Sequence, residues 1–308
     1  MSKRQRDSRE YARQMRMIQE RATARRGRMR VAYSAIGAVL LVFVVMGLVK
    51  LGTAGGGGGG ESPSAVPTGA AAEAIISGIT SVPAATLDAV GAGAKPSLPT
   101  ALTGQPALTD GGKPLVLYVG AEYCPFCAAQ RWPVVIALSR FGTFSGLTLT
   151  TSAADDTYPN TPTVSFHGVT YTSQYLSFQG VETTTNKRVN GQYQPLDQLT
   201  PAQQQVLQKY NAAPYVPSDS AGAIPFVDFA NKAIQAGASY SPALLADHTH
   251  QQILDAVKDP NSQVGRAIGG SANALTALLC KITGNQPGDV CSSAAVQAYQ
   301  GEFANVGK

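Results

Sequence analysis

The chain is poor in the residues that hold metal ions. It has three histidines and four cysteines among 308 residues. His248 and His250 lie close together, but no cysteine and no cluster of carboxylates accompanies them at the spacing of a zinc site. We therefore expect no metal site and no organic cofactor.

A phosphate-binding loop and a basic folded surface are also missing. The glycine run 55–60 is not followed by Lys-Ser or Lys-Thr, as a P-loop would be. The net charge of +5 arises in residues 1–30, where eleven Lys/Arg stand against three Asp/Glu, so the rest of the chain carries −3. Charge therefore gives no support to nucleic-acid binding by the folded part.

Segment 31–50 lacks charge up to its last residue, Lys50. At about 1.5 Å per residue in a helix, it is long enough to cross most of a bilayer's hydrocarbon core. Because the basic tail 1–30 precedes it, the positive-inside rule predicts a cytoplasmic tail, a transmembrane helix at 31–50 and an extracytoplasmic remainder. A cleaved signal peptide is the alternative, although the tail and the apolar run are both longer than is usual for one.

A segment of small residues separates this predicted anchor from the rest of the chain. Residues 51–69 contain six consecutive glycines followed by Ser, Pro and Thr, which predicts a flexible linker. We expect residues 70–308 to form one extracytoplasmic domain that the preceding helix tethers to the cell membrane.

Cys124 and Cys127 are separated by two residues at the start of a helical pattern that follows the apolar run Leu115–Val119. A helix N-terminus favours a thiolate, and Pro125 suits the first turn, where its missing N–H is not needed. One thiolate can attack a substrate disulfide and the other can resolve the mixed disulfide. A zinc site would need further ligands at comparable spacing, so the pattern favours a redox pair.

The other two cysteines, Cys280 and Cys291, bracket a turn-rich loop. All four cysteines follow the predicted membrane segment, in a compartment where disulfides persist. A structural disulfide is the favoured interpretation, and closing so short a loop contributes about 3 kcal/mol in the chain-entropy model. A second redox pair that relays electrons with Cys124 and Cys127 is the alternative.

The hydrophobic pattern around the first pair predicts a mixed α/β domain. Leu115–Val119 is typical of a buried strand, 125–141 of a helix and Leu147–Thr151 of a second strand, which together predict a right-handed βαβ unit with a parallel pair. Further along, Ile224-Pro225 opens an apolar strand, which is unusual because proline cannot donate to a strand ladder.

The order of these features resembles the thioredoxin fold. The resemblance implies an α/β, thioredoxin-like fold with a large insertion at about 153–218, between the second strand and a cis-proline hairpin. It also implies a helical C-terminal extension after the hairpin and one N-terminal transmembrane helix. Several segments resemble, more specifically, a membrane-anchored, thioredoxin-like prokaryotic family of unknown function, domain of unknown function 929. These segments are Gly120–Ala129, Arg131-Trp132, Ala137–Phe144, Ile224–Asp228 and the Cys280/Cys291 pair.

The resemblance implies a role for each residue of the site. Cys124 is the attacking thiolate, and Cys127 resolves the mixed disulfide. Pro225 is expected to be cis and to face Cys124, while the backbone of Ile224 hydrogen-bonds an extended substrate segment. The predicted substrate groove is lined by Ile224, Pro225, Tyr123, Pro125 and Phe126.

The function implied is that of a membrane-tethered thiol–disulfide oxidoreductase, which acts on the cysteines of exported proteins and is recharged by a membrane redox partner. The direction of electron flow stays open. The alternative is a non-enzymatic thioredoxin-like module, in which the cysteine pair is a redox switch or a fixed bridge and the insertion meets a partner. The two hypotheses differ in whether Cys124 is needed for disulfide exchange.

Overall fold

The computed structural model describes residues 65–218 and 220–307. The predicted cytoplasmic tail, the predicted transmembrane helix and most of the predicted linker lie outside the described residues. Within them, no single helix has the length and hydropathy to cross a membrane. One pair of helices, Gly69–Thr80 and Ala84–Val90, meets that test together, with a bend of 61° between its members.

The described residues form a mixed α/β fold of twelve strands, eight α-helices and one 3₁₀ helix. In chain order the strands are β1 (Thr100–Ala101), β2 (Thr109–Asp110), β3 (Lys113–Gly120), β4 (Gly142–Ser145), β5 (Thr148–Thr151), β6 (Pro162–Ser165), β7 (Thr170–Ser173), β8 (Ser177–Glu182), β9 (Thr184–Val189), β10 (Gln192–Pro195), β11 (Phe226–Phe229) and β12 (Ala233–Ala236). The α-helices are α1 (Gly69–Thr80), α2 (Ala84–Val90), α3 (Pro125–Ser139), α4 (Pro201–Tyr210), α5 (His250–Lys258), α6 (Gln263–Ile282), α7 (Gly288–Cys291) and α8 (Ala294–Gln297), and the 3₁₀ helix is Pro242–Leu245.

Strand β3 is the central strand of a six-stranded sheet. It pairs in parallel with β8 on one side and antiparallel with β11 on the other, and β12 and β1 extend the sheet beyond β11. The strand is buried from Leu115 to Gly120, as the continuous apolar run predicts for a strand covered on both faces. The predicted hairpin after Pro225 is also confirmed, as β11 and β12.

The predicted parallel partner of β3 at Leu147–Thr151 is wrong. Strand β5 occupies that segment but pairs antiparallel with β6, and the parallel partner of β3 is β8. The physical reason is burial: Thr148 is exposed, whereas Val181 on β8 is buried against the core of the sheet. Strand β5 is only partly buried and pairs with β6 in a two-stranded sheet, and its composition does not distinguish such a strand from one inside a larger sheet.

This correction changes where the added residues lie. The pairs β4–β7 and β5–β6 stand between α3 and β8, and the β9–β10 pair and α4 stand between β8 and the hairpin. The predicted insertion at about 153–218 therefore contains β8, the second strand of the central sheet.

Helices cover both faces of the central sheet. On one face, α3 and α6 pack with Val116, Tyr118 and Phe229 in the main hydrophobic cluster. On the other face, Leu117 and Val119 pack against α4. Side chains of β3 alternate between the two layers, so the central strand, and with it the start of α3, is held from both sides.

Capping residues fix two of the helix starts near these layers. Thr200 forms a capping box with Gln203 at the start of α4. At the start of α5 the N-cap is Thr249, again in a capping box, formed with Gln252.

Candidate redox site

The two free cysteines lie where β3 ends and α3 begins. Cys124 is the N-cap of α3, and its Sγ accepts a hydrogen bond from the backbone N–H of Cys127 at 3.4 Å. Pro125 occupies the first helical position, where the absent N–H costs no hydrogen bond. The strand-to-helix junction therefore presents one sulfur to the free N–H groups of the first turn.

The environments of the two thiols differ. A hydrogen bond from the Cys127 thiol lowers the pKa of Cys124 to about 7, against the opposing effect of burial. Backbone hydrogen bonds and the charge of Arg131 act in the same direction. Burial raises the pKa of Cys127 well above its ordinary value. At neutral pH, Cys124 is the thiol that ionises and Cys127 is the one that keeps its proton.

The predicted proline stands beside the redox pair. The Ile224–Pro225 peptide bond is cis, and the Cys124 thiol donates a hydrogen bond to the carbonyl oxygen of Ile224 at 3.8 Å. This approach follows from the sheet, because Phe226 at the start of β11 is in register with Val119 near the end of β3. The structure thus places the carbonyl of Ile224, which precedes the cis-proline Pro225, next to Cys124.

Aromatic rings from the added segments surround the predicted groove residues. The ring of Tyr123 stacks on that of Tyr193 in β10, with centroids 4.2 Å apart and an angle of 6° between planes. Phe126 is 43% exposed and meets Tyr158 edge-on at 6.1 Å. Sequence reasoning missed Tyr158 and Tyr193, because they lie far from the cysteines along the chain and no local pattern points to them.

Arg188 holds the hairpin that carries Tyr193 through a cation–π contact and an ion pair. The guanidinium of Arg188 lies 4.0 Å from the centroid of the Tyr193 ring and pairs with Asp155 at 2.9 Å. The backbone N–H of Glu122 also donates to the carbonyl of Thr184 at 2.9 Å, which joins the start of β9 to the turn before Cys124. These contacts hold β9–β10 next to the redox pair.

An ion pair is buried below the cysteines. Arg131 of α3 donates from Nε and Nη2 to the two carboxylate oxygens of Glu182 at 2.8 and 2.6 Å, and both side chains are completely buried. Nη2 also donates to the carbonyl of Ala121 at 2.8 Å. Sequence reasoning did not identify Glu182 as the partner of Arg131; the usable signal was the position of Arg131 four residues after Cys127, on the same face of the helix.

The family model described as Domain of unknown function (DUF929) matches residues 102–281. The chain belongs to the DUF929 family. The matched residues contain Cys124 and Cys127, the cis-proline and the buried ion pair. No curated protein matches the chain. No solved structure matches it either.

The second cysteine pair of this DUF929 protein forms a disulfide, as predicted. Cys280 in α6 and Cys291 in α7 are bonded, with their Cα atoms 5.6 Å apart. The bond ties the end of the long helix α6 to the short helix that follows it. Both residues are buried in the main hydrophobic cluster, which suits a structural bridge.

The two neighbouring histidines have different surroundings. His248 is half-buried, and its Nδ1 lies 2.8 Å from the carbonyl oxygen of Ala246. His250 is completely buried, and its Nε2 lies 2.8 Å from the carbonyl of Thr150. Among residues 65–218 and 220–307, no group of three or more His, Cys, Asp or Glu side chains is placed to hold a metal ion.

Proposed function

We propose that this DUF929 protein is a thiol–disulfide oxidoreductase, tethered to the membrane and acting outside the cytoplasm on the cysteines of exported proteins. One observation carries the proposal: two unbonded thiols of opposite acidity stand at a helix start beside a cis-proline. A thiol whose pKa is about 7 is in part a thiolate at neutral pH, and the thiolate is the species that attacks a disulfide.

A thioredoxin-like fold is part of this proposal. It is supported by the strand order β8-β3-β11-β12, with β8 and β3 parallel and the β11–β12 hairpin antiparallel to them. Helix α3 connects the parallel pair, and α6 follows the hairpin on the same face of the sheet. The pairs β4–β7, β5–β6 and β9–β10 are additions to that core.

The chemistry assigned to the two cysteines balances in two steps. The Cys124 thiolate attacks one sulfur of a substrate disulfide, and the other substrate sulfur leaves as a thiolate. Cys127 then loses its proton and attacks Cys124 Sγ, which forms the Cys124–Cys127 disulfide and releases the second substrate sulfur. Two electrons pass to the substrate, and the proton from Cys127 ends on a substrate thiol; a protein disulfide is formed by the reverse sequence.

The location and the partners are proposed from the sequence. The basic tail before segment 31–50 supports an extracytoplasmic domain, and the Cys280–Cys291 disulfide suits an oxidising compartment. A membrane redox partner would return the Cys124–Cys127 pair to its starting state after each turnover.

The reduction potential of the Cys124–Cys127 pair tests this function. The full chain, purified in detergent, is equilibrated with glutathione redox buffers, and the state of the two cysteines is read by alkylation and mass spectrometry. A value near about −120 mV would identify a disulfide-forming oxidase, about −180 mV an isomerase and about −270 mV a reductant. A value below about −300 mV would indicate a structural bridge and would count against the proposal.

The non-enzymatic binding module is supported by one observation, the burial of the attacking thiol. Cys124 is 6% exposed, so little of its surface is open to a substrate sulfur. If Cys124→Ser abolishes disulfide exchange with a model disulfide substrate, the oxidoreductase is favoured. If wild type shows no exchange and Cys124→Ser keeps every partner interaction, the binding module is favoured.

A further inference from the structure

Three buried side chains of this protein form a cluster behind the redox pair. Arg131 lies one helical turn after Cys127 on α3, Tyr118 lies on β3, and Glu182 is the last residue of β8, in register with Gly120. All three have 0% exposure. Cys127 and Arg131 share a helix face at a spacing of four residues, which brings their side chains within about 6 Å at the Cβ atoms.

Two hydrogen-bond donors of the cluster have no acceptor in the described residues. Glu182 accepts two bonds from Arg131 and one from the backbone N–H of Phe166 at 3.3 Å. In the described residues, Nη1 of Arg131 and the hydroxyl of Tyr118 have no hydrogen-bond partner. The guanidinium carbon also lies 5.9 Å from the centroid of the Tyr118 ring. A buried donor without an acceptor costs free energy, so both groups favour the appearance of a negative charge nearby.

The charges of the cluster act on the resolving thiol. The positive charge of Arg131 favours the Cys127 thiolate, while burial and the carboxylate of Glu182 oppose it. Burial alone would disfavour a charged guanidinium, but the two-point contact with Glu182 raises the pKa of Arg131, so the cation persists. Interactions of this kind are stronger in a dry interior than in water.

Stability alone is a weak reason for such a pair. Apolar side chains of similar volume commonly replace a buried ion pair at no loss of stability, because desolvation offsets the Coulombic attraction. The resolving step, in contrast, needs a negative charge on a sulfur that is fully buried. A fixed cation one turn below that sulfur reduces the free energy needed to form the charge.

We propose that Arg131, with Tyr118, stabilises the Cys127 thiolate during the resolving step, and that Glu182 positions the guanidinium and limits its effect. The inference rests on the oxidoreductase function proposed above. Arg131 and Glu182 are positioning residues: they act through Cys127 and take no part in the bonds that form and break. When Cys127 attacks the mixed disulfide, its proton leaves with the departing substrate sulfur, and the guanidinium faces the anionic sulfur until the new disulfide has formed.

The two variants should shift the pKa of Cys127 in opposite directions, which distinguishes this role from a structural one. Loss of the Arg131 cation makes the Cys127 thiolate harder to form, whereas loss of the Glu182 anion makes it easier. Both changes lower stability, because each leaves a buried partner uncompensated. A purely structural pair would therefore lower the melting temperature in both variants without moving the acidity of Cys127 in opposite directions.

The test uses the full chain with Cys124→Ser, so that Cys127 is the one cysteine left outside the Cys280–Cys291 disulfide. Thiolate absorbance near 240 nm is followed against pH in this background and with Arg131→Gln or Glu182→Gln added. We expect Glu182→Gln to move the midpoint down and Arg131→Gln to move it up, each by about one pH unit, or tenfold in the dissociation constant. Midpoints that coincide, or that move in the same direction, would overturn the proposal.

A milder variant keeps the test decisive if the charge changes prevent folding. Tyr118→Phe retains the ring and the ion pair and removes only the hydroxyl. It should move the Cys127 midpoint up in the Cys124→Ser background. Tyr210→Phe, which removes a hydroxyl from a buried tyrosine packed in a different cluster, is the matched control and should leave it unchanged. An unchanged Cys127 midpoint in Tyr118→Phe would show that the hydroxyl takes no part. If the Arg131→Gln and Glu182→Gln variants also fail to fold, that result would reject the proposal.

The reduction potential gives a second measurement with both cysteines present. At a pH above the Cys127 midpoints, a more stable thiolate favours the reduced pair, so Glu182→Gln should there be more oxidising than wild type and Arg131→Gln more reducing, by about 30 mV for each tenfold change. At neutral pH, where Cys127 keeps its proton, the three potentials should agree. If wild type fails to exchange disulfides but the midpoints still move as expected, the oxidoreductase fails and the electrostatic role of Arg131 stands. If exchange is normal and the midpoints are fixed, only the inference fails.

Discussion

The thiol of Cys124 donates a hydrogen bond to the carbonyl oxygen of Ile224 at 3.8 Å, although 100 residues separate them in sequence. The contact exists because β11 runs antiparallel to β3 and starts where β3 ends. It places the sulfur beside a backbone carbonyl that precedes β11 and is not part of the strand ladder. A substrate segment that lies along this edge would meet the Ile224 backbone and the reactive sulfur together.

Replacing the resolving cysteine tests this arrangement directly. In Cys127→Ser, the Cys124 thiolate still attacks a substrate disulfide, but nothing releases the mixed disulfide, because serine cannot act as the second thiol. We expect covalent adducts with exported proteins that vanish on reduction. They are detected as mass-shifted bands on non-reducing gels of membranes from cells that express the variant.

The control for trapping is Cys124→Ser/Cys127→Ser, which keeps the buried environment and removes both sulfurs. This double variant should give no adducts. Adducts of equal amount in both variants would mean that they form elsewhere, and a clean absence from Cys127→Ser would remove the main support for enzymatic exchange.

The acidity of Cys124 predicts how its reactivity depends on pH. Its pKa is lowered to about 7, so the rate of alkylation by iodoacetamide should rise with pH to a midpoint near that value and then level off. An ordinary thiol has a midpoint near about 8.5. Cys127 should react more slowly at every pH, because burial raises its pKa. Mass spectrometry of the alkylated peptides separates the two rates.

The Cys124 profile has a clear contrary result. A midpoint near that of an ordinary thiol, or faster modification of Cys127 than of Cys124, would reverse the roles assigned to the two sulfurs. The fully denatured chain provides the reference, since both cysteines should then react at the same rate and with the ordinary midpoint.

The stacked rings of Tyr123 and Tyr193 predict a specificity role for the β9–β10 hairpin. Their centroids are 4.2 Å apart, and Tyr193 is held by Arg188 from its other side. In Tyr193→Ala, Tyr123 loses its support beside Cys124, so we expect KM for a peptide disulfide to rise several-fold while kcat changes little. A stacked pair contributes about 0.5–1.5 kcal/mol beyond the area that it buries, so we expect a loss of stability of at least that size.

The matched control for the hairpin is Tyr215→Ala, which removes a half-buried ring that meets Tyr210 edge-on at 5.0 Å. It should lower stability to a similar extent and leave KM unchanged. A fall in kcat with constant KM in Tyr193→Ala would place the hairpin in the chemical step and contradict a role in binding.

The parts of the site that the sequence predicted are those that local chemistry determines. The apolar run before Cys124 and the proline at the first helical position identify the strand and the helix start without knowledge of the rest. The parallel strand was misplaced because Thr148–Thr151, with three threonines, has a stronger local strand pattern than Ser177–Glu182, and only long-range packing decides which of them enters the sheet.

The missed residues share the same cause. Arg131 and Glu182 are 51 residues apart, and no local sequence pattern around either residue predicts that they pair. A charged residue four places after the second cysteine is a usable signal, since that spacing places the charge under the sulfur. Tyr193 gives no such signal, because its neighbour is set by where the added hairpin folds.

A buried carboxyl on β11 predicts an unusual dependence of stability on pH. Asp228 is completely buried, and its Oδ1 accepts a hydrogen bond from the backbone N–H of Asn231 at 2.7 Å. Its other oxygen has no partner among the described residues. Burial raises the pKa of Asp228 to about 7, against the smaller opposing effect of the Asn231 hydrogen bond.

The sign follows from proton binding. In the unfolded chain an aspartate has a pKa of about 3.9, so between about pH 4 and pH 7 the folded state binds the proton and the unfolded state does not. The contribution of Asp228 to stability is therefore full below pH 4, declines as the pH rises, and is lost above pH 7. The difference between the two pKa values corresponds to about 4 kcal/mol.

Asp228→Asn should remove this decline, because the amide keeps an acceptor for Asn231 and carries no charge. We expect urea denaturation to give similar free energies of unfolding for wild type and variant at pH 4, and a variant that is more stable by a few kcal/mol at pH 8. Asp255→Asn, at an exposed position on α5, should follow the wild-type curve throughout. If Asp228→Asn also follows the wild-type curve, the carboxyl is ionised in the folded state over the whole pH range. The buried carboxylate must then be stabilised by interactions other than the hydrogen bond from Asn231.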